Sequence, residues 1–213
     1  HNMLQHICLQ NSIDCGNGFT LTDVPGHPLY AWDTDNRKFR IEYDLLRRVI
    51  RKWMKDTHLL EITNYGEGIS GAAGLNLIGQ VYEHFDSSGR QWMPDGYDFK
   101  GNPIAIYQQL PDDKTLTDAD WNNSPPALSA EIFITTSQTD ALGRPVQSID
   151  AGNNITELVY ERSGALKIVR LNSNTYVQDI HYNAKGQRHA IWYGNGTKTG
   201  YTYDPETYRL QRL

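Results

Sequence analysis

Thr139-Asp140-Ala-Leu-Gly143-Arg144-Pro145-Val-Gln-Ser-Ile149 is the stretch whose reading decides the fold. An Asp at the first position of a turn accepts hydrogen bonds from backbone amides two residues on. A Gly three residues later takes the positive φ that closes such a turn. The run behind it, Pro145 to Ile149, mixes β-branched and polar residues with partial period-two alternation and reads as a strand. The same phrase recurs as Asp23-Val-Pro-Gly26-His-Pro28, Tyr43-Asp44-Leu-Leu-Arg-Arg48, Phe85-Asp86-Ser-Ser-Gly89-Arg90, Tyr97-Asp98-Phe-Lys-Gly101-Asn-Pro103, Tyr160-Glu161-Arg-Ser-Gly164, Tyr182-Asn183-Ala-Lys-Gly186 and Tyr203-Asp204-Pro205.

The copies are phased. From 23 to 44 is 21 residues, 44 to 86 and 98 to 140 are each 42, and 140 to 161, 161 to 183 and 183 to 204 are 21, 22 and 21. The 12-residue step from 86 to 98 alone breaks the count, and otherwise 42 reads as twice 21. A unit of that length holds two strands of about seven residues with two tight connections, which is one β-hairpin. A lone hairpin is marginal in water, so successive hairpins must pair edge to edge. The expectation is an all-β chain in which hairpins form a curved, spiralling antiparallel sheet. Its structural turn positions are Asp23, Gly26, Tyr43, Asp44, Asp86, Gly89, Tyr97, Asp98, Gly101, Asp140, Gly143, Tyr160, Gly164, Tyr182, Gly186, Tyr203 and Asp204.

These phrases resemble those of the Rhs or YD-repeat proteins, named for the Tyr-Asp pair that stands here at 43–44, 97–98 and 203–204. Within that family the chain is similar to the shell-forming components of bacterial insecticidal toxin complexes. Ala31-Trp-Asp33, Tyr182-Asn-Ala-Lys-Gly-Gln-Arg188 and Tyr193-Gly-Asn-Gly196 leading into Tyr201 to Leu210 also carry the likeness. The resemblance implies a hollow shell that surrounds a polypeptide, often a toxic C-terminal region of the same chain, and sequesters it until delivery. The implied partners are that enclosed toxin and other toxin-complex subunits or the rest of the same shell, and the implied location is secreted or at a bacterial cell surface. The family's autoproteolysis belongs to a segment after the repeats, and no catalytic position carries over. A rival reading is a cell-surface YD-repeat binding module, in which exposed Tyr and Trp stack on carbohydrate or meet a protein partner.

Composition bounds the rest. Thirteen Tyr, five Trp and 18 Gly suit sheets joined by tight turns, in which aromatic rings supply much of the packed area. A net charge of −5 argues against nucleic acid, whose partners concentrate Lys and Arg against phosphates. The basic run Arg47-Arg-Val-Ile-Arg-Lys52 reads as a solvated face. No apolar stretch is long enough for a membrane span. The chain opens at His1 and closes nine residues after Asp204, in mid-repeat, so it reads as part of a longer protein, a single array over 1–213 whose open strand edges favour self-association. Cys8 and Cys15, seven apart, leave both a small disulfide loop and two unpaired thiols open.

Three stretches need separate treatment. Leu45, Leu46, Val49, Ile50, Trp53 and Met54 fit one face of a helix, but repeat phase aligns Val49 to Met54 with Pro145 to Ile149, which decides for strand. The glycine-rich Tyr65 to Gly74 lacks the Lys-Ser/Thr ending of a phosphate loop and reads as a structural turn. Residues 108–130 leave the repeat grammar; this insertion has the acidic and hydroxyl residues that start a short helix before Pro125-Pro126, and belongs on the rim or outer face of the sheet. The seven His show no metal-binding spacing, Asp33-Thr-Asp35 and Asp118-Ala-Asp120 lack the rest of a calcium loop, and no Gly-x-Ser-x-Gly occurs. The expectation is no enzyme, no metal and no cofactor.

Overall fold

The computed structural model describes Met3 and residues 6–213. Residues 1–20, which lack a clear copy of the turn phrase and read from the sequence as an irregular entry or a first, worn strand pair, hold a strand pair of Leu9–Ser12 and Gly16–Thr22; residues 1, 2, 4 and 5 lie outside the described residues. The chain divides into two compact units, His1–Gly101 with Ile106–Phe133, and Asn102–Ala105 with Ile134–Leu213.

In the first unit the strands are β1 (Leu9–Ser12), β2 (Gly16–Thr22), β3 (Pro28–Trp32), β4 (Lys38–Tyr43), β5 (Val49–Met54), β6 (His58–Tyr65), β7 (Val81–Asp86), β8 (Gly89–Trp92) and β9 (Ala105–Gln109). Each pairs antiparallel with the next in chain order. The second unit carries β10 (Phe133–Thr139), β11 (Pro145–Ile149), β12 (Ile155–Tyr160), β13 (Leu166–Leu171), β14 (Asn174–Tyr182), β15 (Arg188–Tyr193) and β16 (Lys198–Gly200), paired in the same way. It ends in a separate hairpin of β17 (Thr202–Tyr203) and β18 (Leu210–Arg212). The architecture is all-β, hairpin after hairpin, and Val49 to Met54 is strand.

The register carries a recurring irregularity. A bulge falls immediately before the turn residue at Leu21/Thr22, Glu42/Tyr43, Asn64/Tyr65, Gln138/Thr139, Val159/Tyr160, His181/Tyr182 and Thr202/Tyr203. An extra residue on one strand bends that strand and increases the local right-handed twist.

Because strands alternate in direction, the turns alternate between two rims. The turns after β2 and β4, at Asp23 and Asp44, share a rim with Tyr65-Gly66 after β6 and Tyr97-Asp98 after β8. Asp86, at the end of β7, lies on the opposite rim with Asp33. The count from 44 through 86 to 98 therefore crossed rims. The intervals on the Tyr-Asp rim are 43 to 65 and 65 to 97, the latter lengthened by residues 66–80. The 42 residues from 98 to 140 likewise hold β9, the insertion and β10 rather than two repeats.

Residues 66–80 supply the best-buried cluster. Ala72, Leu77, Met93 and Tyr97 pack together, flanked by Ile69, Leu75, Val81, Tyr82 and Ile106. Gly66 touches the Leu77 carbonyl so closely that no Cβ fits there. The insertion forms no helix. Asp113 accepts from both the amide and the hydroxyl of Thr115, at 2.9 and 2.7 Å, a local bond that competes with helix initiation. The insertion lies along one rim, where it is anchored rather than loose: Ala119 is fully buried, and Trp121 packs edge-on against Phe85 at 4.9 Å.

Candidate functional site

Each turn copy sits at its own hairpin, not in a shared pocket. Asp44 Oδ1 accepts from the amides of Leu46 and Arg48 at 2.9 Å each, while the Asp44 amide bonds the Arg48 carbonyl at 3.0 Å. Asp140 repeats this with Leu142 and Arg144 at 2.8 and 3.0 Å, and Asn183 with Lys185 and Gln187 at 3.0 Å. Asp23 accepts from His27 at 2.8 Å, Asp98 from Lys100 at 2.8 Å, and Asp204 from Glu206 and Thr207 at 3.0 and 2.7 Å. Asp86 accepts from Ser88 at 2.7 Å, but its loop has two residues and Asp86 pairs directly with Gly89. It is a different turn, as its place on the other rim requires. Glu161 forms the same backbone turn through Gly164, whose amide bonds the Glu161 carbonyl at 2.9 Å.

The closing residue of the turn has positive φ at Gly26, Gly101, Gly143, Gly164 and Gly186, and Gly89 shares it in its own turn. Arg47 occupies the same position after Asp44 with φ 65°, an uncommon conformation for a long side chain. Its guanidinium bonds Asp23 of the preceding turn at 2.7 Å. The basic run is thus engaged with carboxylates: Arg48 with Asp44 and Glu67, Arg51 with Glu42, Lys52 with Glu61.

A second layer of contacts, absent from the sequence reading, joins one repeat to the next. The hydroxyl of Tyr43 donates to the carbonyl of Pro28 at 2.7 Å, Tyr65 to Val49 at 3.1 Å and Tyr97 to Val81 at 2.6 Å. In the second unit Tyr160 donates to Pro145 at 2.8 Å, Tyr182 to Leu166 at 2.7 Å and Tyr203 to Arg188 at 2.8 Å. In every case the acceptor opens the strand leaving the preceding turn on that rim. The Tyr at the head of each turn is a tie to the hairpin before it.

Arginine at the fourth position after the turn Asp reinforces the tie. Arg48 and Arg144 each bond the carboxylate of their own turn, Asp44 or Asp140, and lie over the ring of the next Tyr, Tyr65 at 3.9 Å and Tyr160 at 4.3 Å. For Asp140 the Arg144 side chain, then its amide, lowers the carboxyl pKa. For Asp44 partial burial works upward, but the Arg48 amide and guanidinium outweigh it and the net shift is downward. The recurring Arg at 37, 48 and 144 and the 15- or 16-residue Tyr-to-acceptor interval were the signals available in the sequence.

On the opposite rim the insertion closes over two hairpin tips. Asp120 accepts from the Leu59 amide at 3.1 Å, Asn123 donates to the Thr57 carbonyl at 2.8 Å, and Trp121 donates to the Asp86 carbonyl at 3.2 Å. Cys8 and Cys15 are both free thiols. Among the described residues no helix is long and apolar enough to cross a membrane.

No family model matches the chain. Two toxin subunits of Yersinia entomophaga do: YenC2, 26% identical over 238 residues and 96% of this chain, and YenC1, 28% identical over 222 residues and 94%. A TcdB2-TccC3 crystal structure without its hypervariable C-terminal region matches 95% of the chain at 26% identity and a TM-score of 0.86. The chain resembles the YD-repeat shell proteins of bacterial toxin complexes. The Photorhabdus luminescens Tc holotoxin pore shows the same YD-repeat fold, with a TM-score of 0.83 at 26% identity over 95% of the chain. The chain spans 24% and 22% of the two curated relatives it matches, and 10% of each solved chain.

Proposed function

We infer that this chain is a wall section of a YD-repeat shell that encloses and sequesters a toxin or effector polypeptide for delivery by a secreted or cell-surface toxin complex. The whole of 1–213 is one repeat array, with 108–130 its insertion. The placement of the aromatic rings carries this reading. They join strand to strand: Phe19 on Trp32 at 5.4 Å across β2 and β3, and Trp92 on Tyr107 at 5.4 Å across β8 and β9. Six Tyr hydroxyls are committed to the hairpin before them. Such groups serve the continuity of a sheet rather than a ligand, and a wall needs no catalytic group, cofactor or metal. The turn residues Asp23, Asp44, Asp98, Asp140 and Asp204 act structurally, with their Gly and Tyr partners.

The experiment is protease protection. The product of the full reading frame is digested with proteinase K, intact and with Tyr43→Phe, Tyr160→Phe and Tyr182→Phe combined. The reading expects a polypeptide that survives within the intact product and is cut faster when the ties are removed. An intact product in which no segment outlasts its denatured counterpart overturns it.

A further inference from the structure

In the first unit the two rims differ in chemistry, and the wall reading gives the difference no role. On the Tyr-Asp rim the turn tips carry Val24, Leu45, Leu46, Ile78 and Phe99, and even the least exposed of these, Ile78, is 61% exposed. The hairpin tips of the opposite rim carry Thr34-Asp35-Asn36, Lys55-Asp56 and Ser87-Ser88, and among them only the β1–β2 tip holds a large apolar residue, Ile13. Strands lie about 4.8 Å apart, so successive tips on one rim are spaced by about 10 Å and the four form an apolar row roughly 30 Å long. A row of that extent on a protein surface marks a contact.

The row is rigid and carries a hole as well as knobs. Asp44 Oδ1 accepts from the Leu46 amide at 2.9 Å and Asp98 Oδ1 from the Lys100 amide at 2.8 Å, so Leu45, Leu46 and Phe99 stand on fixed turns and lose little backbone freedom on docking. Between the third and fourth tips lies a groove of about 350 Å³, walled by Ala73, Asn76, Ile78, Gln80 and Phe99. Asn76 is held in that wall by its bond to the Tyr97 carbonyl at 2.9 Å. A benzene-sized group fills about 150 Å³, so the groove has room for two leucine side chains of another molecule.

Charge does not oppose a contact between like rims. The chain carries a net charge of −5, but the charged groups beside the knobs neutralise one another, Arg47 with Asp23, and Arg48 with Asp44 and Glu67. Knob and hole on one surface, with the charges between them already paired, make that surface self-complementary, as a two-fold contact requires. We propose that the Tyr-Asp rim of the first unit pairs with the same rim of a second copy of this chain, Leu45 and Leu46 of each entering the groove between Ile78 and Phe99 of the other. Burying four side chains of this size removes about 300–400 Å² per copy, which places the dimer among weak, reversible interfaces. The contact is closed, whereas pairing of open strand edges is head-to-tail and adds copies without limit.

Sedimentation velocity of the 213-residue chain from about 10 μM to 1 mM tests this. The expected result is a reversible rise from monomer to dimer and no further. Leu45→Ser combined with Leu46→Ser, on an exposed turn, should weaken the dimer about tenfold or more with the thermal midpoint unchanged, and Phe99→Ser, on the other side of the contact, should do the same. Leu142→Ser, a turn leucine of the second unit as exposed as Leu46, should leave self-association within about twofold of the parent. A chain that stays monomeric to about 1 mM overturns the proposal, as does association that continues past the dimer or that the rim variants leave intact. The 213-residue chain alone is measured, so the outcome is independent of protease protection in the product of the full reading frame, and the two readings fail separately.

Discussion

Replacing Tyr97 by Phe isolates the worth of one inter-repeat tie. The Tyr97 side chain is 7% exposed within the cluster of Ala72, Leu77 and Met93, and its hydroxyl donates to the Val81 carbonyl at 2.6 Å. Burial raises the phenol pKa above its ordinary value, so the neutral donor form is favoured in the fold. The substitution keeps the ring and its packing but removes the hydroxyl that donates to that carbonyl, and water reaches so buried a position poorly. A buried hydrogen bond lost in this way costs about 1–2 kcal/mol. Tyr65 provides the internal control: its bond to Val49 is longer, at 3.1 Å, and solvent-accessible, so Tyr65→Phe should cost below about 0.5 kcal/mol. Both residues lie in the first unit with Trp32, Trp53, Trp92 and Trp121, so tryptophan fluorescence during urea unfolding reports on both. With a slope of about 1–3 kcal/mol per M, Tyr97→Phe should lower the midpoint by roughly 0.5–1 M and Tyr65→Phe by much less. Equal midpoints for Tyr97→Phe and the parent chain, or a larger loss for Tyr65→Phe, would refute the account of the tie.

Two further outcomes follow from the same structure. Gly143→Val should destabilise the second unit by at least about 1 kcal/mol, because φ is 77° there and a β-branched residue is strained in that region; unfolding followed through Trp192, the single Trp of that unit, checks it, and an unchanged midpoint removes the turn assignment. Asp120→Ala should raise hydrogen exchange at the Leu59 amide about fivefold or more, as loss of a capping carboxylate does. Burial pushes the Asp120 pKa up, but the Asn123 side chain and the amides of Asn122, Leu59 and Asn123 outweigh it and bring it down to about 2. A lowered carboxyl pKa contributes stability above the unfolded value of 3.8 that is lost as pH falls through about 2, so protection at Leu59 should drop over that window in the parent chain and not in the variant.

How much of this the residues disclosed differs by level. Hairpins and strand character were legible because turn chemistry is local: an Asp and a Gly three apart act within five residues, whatever surrounds them. Even Val49 to Met54, whose apolar pattern also fits a helix, was settled by its alignment with Pro145. The short helix expected in the insertion does not form, because that segment's conformation is decided by contacts elsewhere in the chain. Nothing between 108 and 130 announces that Asp120 will meet the Leu59 amide, 61 residues away, or that Trp121 will lie on Phe85.

Between 44 and 140 the repeat count failed for a reason that applies to any hairpin array. A spacing is meaningful only between turns on the same rim, and sequence distance does not carry the rim. Asp86 has the right residues but closes a two-residue loop at the far end of β7, so its distance of 42 from Asp44 was an accident of the 66–80 excursion. The Tyr supplies what the Asp lacks. Its hydroxyl must reach the strand that opens after the previous turn on its own rim, so a Tyr 15 or 16 residues after such a strand start marks rim as well as phase. On that criterion Tyr43, Tyr65, Tyr97, Tyr160, Tyr182 and Tyr203 fall into one series, whereas Phe85, lacking the hydroxyl, falls outside it. The Tyr of the Tyr-Asp pair is thus the more informative half: Asp makes a turn, and Tyr says which hairpin that turn is fastened to.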